Sequence, residues 1–312
     1  MPLDPSLPGP GQDAGNEPWR AGRNESQGKA PEVLERRLPL HGVSWRFLDG
    51  GEGEPLLFLH GGGAMGQTWC GAFPALAHHH RVILPDLPGF GATPIDPELG
   101  TLPEVMGRLQ DFLEAIDLPA GVVLGNSLGG YLAAGLALRE PGRFRAAVLL
   151  APAGLVAPGG SGEAGAYPPP GTMNRTLFHR PSRASRCFPR VPPEEASRRA
   201  RSARETTVRW LSGGLSPLPL EELRVPVLLL WGREDRILPV GMAMAVRARI
   251  PSARLRVLED CGHVPTWEAA GPVAAEVEAF LGCPGGPDTG APSSGSSRST
   301  GSPVQAGAPP GP

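Results

Sequence analysis

Short apolar runs that alternate with helix-compatible stretches predict a three-layer α/β fold, built on a mostly parallel sheet and carrying a small lid insertion. The runs are continuous and rich in Val, Ile and Leu, as expected of strands covered on both faces. A serine set among glycines, Gly125-Asn126-Ser127-Leu128-Gly129-Gly130, marks one junction where such a run gives way to a helix. One long connection breaks the alternation and supplies the insertion.

Residues 32–38 and 43–48, separated by 39–42, read as an antiparallel pair at the sheet edge. Parallel strands follow at 56–59, 82–84, 122–124, 146–150, 227–230 and 255–258. Helices are expected at 102–116 after Thr101, at 128–139, at 240–249 and at 269–281. Between Leu150 and Pro226 about 75 residues carry no strong strand pattern. Their first part, 154–171, is rich in Gly and Pro and reads as a mobile loop. Residues 193–211 read as a helix that Pro193 starts and Gly213-Gly214 stops. An insertion over strand ends, here about 153–220, is where a lid forms.

The folded unit is expected to span 31–282 of the 312 residues. Residues 1–30 and 283–312 are Pro- and Gly-rich, lack apolar periodicity and are expected to be disordered. A net charge of -2 and a pI near 6.4 give no reason to expect nucleic acid as a partner. No run approaches the roughly 18 apolar residues of a membrane span. Met1-Pro2-Leu3-Asp4-Pro5 lacks the basic and apolar regions of a secretory signal. Cys70, Cys187, Cys261 and Cys283 form neither CxxC nor a dense framework. They are expected as free thiols in a reducing compartment, the cytoplasm.

Three residues, each at a strand end, suggest a catalytic constellation. Ser127 sits in a G-x-S-x-G turn, whose glycines allow a sharp bend that lifts the hydroxyl above the sheet. Asp235 follows the run 227–230, and His263 follows 255–258. In this order Ser127 attacks a carbonyl, His263 transfers the proton, and Asp235 fixes the imidazole tautomer. Of the competing acids, Asp260 is too near His263 in sequence to reach behind its ring, and Glu234 is expected to face solvent. Backbone N–H groups of Leu128 and of Gly62, in His60-Gly61-Gly62-Gly63, are expected to receive an oxyanion. His60 is read as a buried hydrogen-bonder that shapes this loop. Asp86 in Asp86-Leu87-Pro88-Gly89-Phe90-Gly91 is expected to hold local backbone N–H groups, and Phe90 to line the pocket. His78-His79-His80 reads as a solvated turn, with no carboxylate or thiol cluster to make a metal site. No cofactor is implied, and the expected partner is a small-molecule substrate.

Over residues 32–281 these motifs, with Trp231-Gly232-Arg233-Glu234-Asp235 and Gly262-His263, resemble the α/β-hydrolase superfamily. The resemblance implies a three-layer α/β-hydrolase fold. It leaves the reaction open among esterases, lipases, C–C bond hydrolases and non-catalytic members. Ser127 stands where epoxide hydrolases and dehalogenases of this type carry aspartate. Gly125-Asn126-Ser127 and Cys261-Gly262-His263 with Trp267-Glu268 look like the hydrolases of meta-ring-fission products, which split a carboxylate-bearing vinylogous diketone. Asn126 and Trp267 thereby become candidates for substrate contact. Val264 and Ala64-Met65 depart from that pattern, which has tryptophan and Pro-Gly there. Those enzymes use a lid arginine for the substrate carboxylate, and Arg186 or Arg190 could match it. The alternative is that the ten arginines between Arg175 and Arg209 mostly cover the outer face of a helix. The leading expectation is a serine hydrolase of a small ester. The alternatives are C–C hydrolysis and a non-catalytic binding protein on the same scaffold.

Overall fold

A computed structural model describes residues 31–62, 70–155, 173–188 and 190–282. The expected tails, most of the 154–171 loop, Gly63, Ala64-Met65 and Cys283 lie outside these residues. The described strands are β1 (Val33–Leu40), β2 (Val43–Gly50), β3 (Glu54–Leu59), β4 (His80–Pro85), β5 (Gly121–Asn126), β6 (Phe144–Leu150), β7 (Val227–Gly232) and β8 (Arg254–Leu258). They form one sheet in the order β1-β2-β4-β3-β5-β6-β7-β8. β1 pairs antiparallel with β2, and β2 with β4; every other pairing is parallel. The edge hairpin closes at His41 and Gly42, both at positive φ (47° and 77°), as a two-residue turn between right-twisted strands requires.

The described helices are α1 (Phe73–Leu76), α2 (Leu102–Ala115), α3 (Leu128–Arg139), α4 (Met173–Leu177), α5 (Pro181–Ala184), α6 (Pro193–Leu211), α7 (Gly241–Arg249), α8 (Pro265–Glu268) and α9 (Ala270–Gly282). α2 starts where Glu104 Oε2 accepts the N–H groups of Gly100 (2.8 Å) and Thr101 (2.9 Å), satisfying donors that precede the first turn. Strand periodicity then sorts the core into two layers. Leu57, Leu59, Val123, Leu149 and Leu229 face α2, α3 and α7, whereas Leu56, Phe58, Leu124, Val148 and Leu230 face α1 and α9. Both faces are buried, which explains why these strands read as unbroken apolar runs.

The connection after β6 contributes α4, α5 and α6. α6 turns Ala203, Thr206, Thr207 and Trp210 inward. Trp210 Nε1 donates to the Leu99 carbonyl (3.2 Å) and Ser202 Oγ to the Gly89 carbonyl (2.7 Å), which fastens α6 across the strand ends.

The expectation of four free thiols is corrected. Cys70 and Cys187 form a disulfide, with Cα atoms 5.4 Å apart, because the short turn at Ser185–Cys187 folds back against the chain that re-enters before α1. Cys261 is a buried free thiol. Disulfides of this kind persist in oxidising surroundings. The cysteines therefore give no support to the expected reducing compartment. Among the described residues, no helix is long and apolar enough to cross a membrane.

Candidate active site

The strand order reverses at β3, since β4 lies on one side of it and β5 on the other. Loops leaving the carboxyl ends of β3 and β5 therefore diverge and leave a crevice between them. Leu59 is in register with Gly125, which brings His60-Gly61-Gly62 beside Asn126-Ser127. A Cβ added to Gly61 would stand 3.1 Å from Ser127 Cβ.

Ser127 is the N-cap of α3 and adopts φ 55° and ψ -118°, outside the regions open to L-residues. Such a conformation costs on the order of 1–3 kcal/mol and persists only when its surroundings fix it. Here the Ser127 N–H donates to the Leu150 carbonyl (2.9 Å). The Ser127 carbonyl accepts from Gly130 (2.9 Å), Tyr131 (3.2 Å) and Ala153 (2.9 Å). The flanking glycines are sterically required. A Cβ on Gly125 would meet the Gly129 carbonyl oxygen at 2.1 Å, and one on Gly129 would meet that of Leu59 at 2.0 Å.

His263 Nδ1 lies 2.7 Å from Asp235 Oδ2, with both side chains buried. Asp235 Oδ1 accepts the N–H groups of Ile237 (2.8 Å) and Leu238 (2.9 Å), and Trp231 Nε1 donates to the Leu238 carbonyl (2.8 Å). The carboxylate is thus oriented from behind, and an N–H at Nδ1 leaves Nε2 as the unprotonated nitrogen. The loops carrying the two residues are sewn together. Glu234 N–H donates to the Cys261 carbonyl (3.0 Å), while Glu234 Oε2 accepts the Cys261 N–H (2.9 Å). Glu234, expected to face solvent, is instead half-buried in this seam. Asp260 serves elsewhere, accepting two hydrogen bonds from Arg180 Nη2 at 2.7 and 2.8 Å. Burial first, then the nearby carboxylates of Glu268, Asp235 and Glu234, push the Cys261 thiol up, so it stays protonated beside His263.

Gly62 and Leu128 lie close together, since a Cβ on Gly62 would be 3.7 Å from Leu128 Cδ2. The Leu128 N–H is in the first turn of α3 and has no intrahelical acceptor. His60 shapes the loop as expected. Its Nε2 accepts the Leu87 N–H (3.0 Å), so the ring proton sits on Nδ1, 2.8 Å from the Gly61 carbonyl. Burial pulls its pKa below the usual 6.5, which keeps the ring neutral for this double contact. Asp86 holds the Ala92 N–H (2.9 Å), again as expected.

Among the expected substrate contacts, Phe90 is fully buried beneath the site, edge-on to His60 and against Trp210. Asn126 Nδ2 donates to the carbonyls of Leu150 and His263, both at 3.0 Å, which braces the serine turn against the histidine loop. Trp267 stacks on Phe178 and meets Phe188 edge-on, in an apolar cluster with Cys187. Its role there is packing. Arg186 and Arg190 are exposed. Elsewhere in the connection between β6 and β7, Arg198 and Arg199 pair with Glu195, and Arg209 donates to the Pro97 carbonyl. His80 lies 3.3 Å from Glu278, while His78 and His79 are exposed.

Sequence reasoning missed Leu177, whose carbonyl accepts the His263 N–H (2.7 Å), and the part played by Glu268. Glu268 is buried and its carboxylate accepts N–H groups from Gly262 (2.8 Å), His179 (3.1 Å) and Arg180.

The family model for the alpha/beta hydrolase fold matches residues 54–270. This chain belongs to the α/β-hydrolase family. It is 32% identical over 285 residues to a 2-hydroxymuconate semialdehyde hydrolase of Pseudomonas putida, covering 81% of this chain and 95% of that one. A 2-hydroxy-6-oxononadienedioate/2-hydroxy-6-oxononatrienedioate hydrolase of Cupriavidus pinatubonensis is 29% identical over 262 residues, covering 75% and 88%. Among solved structures, a membrane phospholipase A described as a bacterial virulence factor superposes with a TM-score of 0.70 at 26% identity, covering 80% and 86%. A serine hydrolase involved in carbazole degradation gives 0.65 at 26% identity, covering 80% and 99%. The hydrolase fold is therefore shared with proteins of differently named activities.

Proposed function

We propose that this α/β hydrolase is a cofactor-independent serine enzyme that cleaves a small, uncharged carboxylic ester through an acyl-enzyme. The observation that supports it most directly is the buried Asp235–His263 hydrogen bond at 2.7 Å, set at the same sheet edge as the strained Ser127 turn. In this reading Ser127 Oγ attacks the ester carbonyl and its proton passes to His263 Nε2. The tetrahedral oxyanion is received by the N–H groups of Gly62 and Leu128. As the C–O bond breaks, His263 returns the proton to the departing alcohol. Water, deprotonated by the same nitrogen, then hydrolyses the acyl-enzyme and frees Ser127. Asp235 keeps the imidazole in the required tautomer and stabilises its cation.

An uncharged substrate is favoured by the lid. α6 presents Ala203, Thr206, Thr207 and Trp210 to the body of the protein and directs its arginines outward, several of them onto Glu195 and the Pro97 carbonyl. A second reading, hydrolysis of a C–C bond in a carboxylate-bearing vinylogous diketone, is favoured by the names of the relatives in Pseudomonas putida and Cupriavidus pinatubonensis.

A kinetic panel of short aryl esters, matching amides and a ring-fission diketone acid separates the two, with Ser127→Ala as control. Esters should lead in kcat/KM, and Ser127→Ala should abolish turnover without loss of fold. A diketone acid turned over far faster than any ester would transfer the assignment to C–C hydrolysis. Failure of a fluorophosphonate to label Ser127 in the wild type would favour a binding protein.

A further inference from the structure

We propose that Glu268 is a positioning residue that locks the first half of the lid to the histidine loop, so that α4, α5 and His263 are set as one body; this rests on the reading of His263 as the proton-transfer group. Glu268 is 5% exposed. A buried carboxylate is tolerated only when its oxygens are well supplied with donors. No cationic side chain among the described residues forms an ion pair with it. Its donors are three backbone N–H groups from two segments. Oε2 takes Gly262 (2.8 Å), the residue before His263, and His179 (3.1 Å) between α4 and α5, while Oε1 takes Arg180. Hydrogen bonds to an ionised acceptor are roughly twice as strong as neutral ones, so the three together form a stiff joint.

The surrounding contacts converge on the same joint. The His263 N–H donates to the Leu177 carbonyl (2.7 Å) at the end of α4, so the histidine backbone itself is bonded to the lid. Gly262 is packed so tightly there that a Cβ would meet the Leu177 carbonyl oxygen at 2.6 Å and the His179 nitrogen at 2.8 Å. Glu268 sits at the end of α8, whose Pro265–Glu268 turn begins two residues after His263. Glu268 thus closes the loop from Gly262 through His263 onto itself and binds His179 and Arg180 to the same carboxylate. If the carboxylate is removed, the lid segment can part from Gly262 and the imidazole can shift relative to Ser127. A displacement of about 1 Å at a reacting group can cost 100-fold in rate.

The test is Glu268→Gln, which keeps the shape but turns one acceptor into an N–H2 facing backbone donors. The expected result is a roughly 10- to 100-fold fall in kcat for aryl esters, a matching fall in the rate at which a fluorophosphonate labels Ser127, and faster hydrogen exchange over 173–188 and 260–264. Effects of Glu268→Gln and Asp235→Asn should be less than additive, because both act through His263; two separate structural roles would add. If Glu268→Gln does not fold, Glu268→Asp retains the charge, shortens the reach by one methylene and should show the same pattern. Wild-type labelling that is unchanged in both variants overturns the positioning role while the hydrolase reading stands. No labelling of the wild type overturns the hydrolase reading and the positioning role with it. A loss of activity that is fully additive with Asp235→Asn also overturns the proposal.

Discussion

At the scale of single residues, the side chains of Asp235, His60 and Glu268 each have a named partner on both of their polar atoms. Asp235 has one oxygen on the imidazole and the other on two backbone N–H groups, so exchanging the carboxylate for an amide changes its chemistry more than its position. Asp235→Asn should lower kcat by about 10³- to 10⁴-fold with little change in KM, since an amide favours the wrong imidazole tautomer. Steady-state kinetics on an aryl ester checks this, and near-normal turnover would assign the acid role to another carboxylate. His60 gives a prediction of a different kind. Its folded-state pKa lies below the ordinary 6.5 because burial disfavours the cation. The unfolded chain then binds the proton first as pH falls, so the stability tied to neutral His60 is complete above 6.5 and is lost as pH falls toward the folded pKa. An NMR titration should place the His60 ring midpoint below 6.5; a midpoint above that value would contradict the assigned tautomer and its two contacts.

At the scale of elements, what was legible in the sequence follows from where the stabilising information resides. β5, β6 and β7 carry it in their own residues, as unbroken Val and Leu runs, and α2 carries it in Thr101 and Glu104. The serine turn was legible for a steric reason, because Gly125 and Gly129 face backbone oxygens that leave no room for any side chain. α1, α4, α5 and α8 were not, since four or five residues are too few to form a helix unaided and their order comes from what they pack against. Glu268 was visible only as part of a motif. Its partners His179 and Arg180 are 89 and 88 positions away, and no local pattern announces such a contact. α6 was legible as a helix, but which of its residues lie beside the Gly62 loop was not. Thr207 does so, since a Cβ on Gly62 would lie 3.1 Å from its methyl group, and its hydroxyl is already used on the Ala203 carbonyl (2.7 Å). Thr207→Ala should therefore fold normally and shift preference toward longer acyl chains by several-fold in kcat/KM, whereas Thr207→Phe should suppress turnover. A series from acetyl to octanoyl aryl esters reads the shift; an unchanged chain-length profile in both variants would remove α6 from the acyl site.

At the scale of the whole molecule, the disulfide joins parts that the strand order keeps far apart. Cys70 enters α1 on one face of the sheet, and Cys187 belongs to the lid turn after α5, 117 residues later. Around the bridge, Phe178, Phe188 and Trp267 form a small apolar cluster of their own, apart from the two large layers of the core. This satellite is too small to hold the segment from α4 to Cys187 by apolar burial alone, so covalent closure matters more there than at α6, whose Ala203 and Trp210 belong to the main core. In the chain-entropy account, closing a loop of 117 residues stabilises by up to about 4 to 5 kcal/mol. For a domain of this size that corresponds to a fall in Tm on the order of 10 °C when the bridge is opened. Peptide mapping without reductant should recover Cys70 linked to Cys187. Reduction, or Cys70→Ser with Cys187→Ser, should lower Tm and raise proteolytic susceptibility first between 173 and 188, because the strand-bonded core is untouched. The buried Cys261 thiol, kept protonated by its surroundings, should neither react nor exchange with the bridge in the native state. If the double variant melts with the wild type and its lid resists protease equally, the backbone hydrogen bonds at Leu177 and Glu268 suffice to hold the lid, and the bridge contributes nothing that the histidine loop does not already provide.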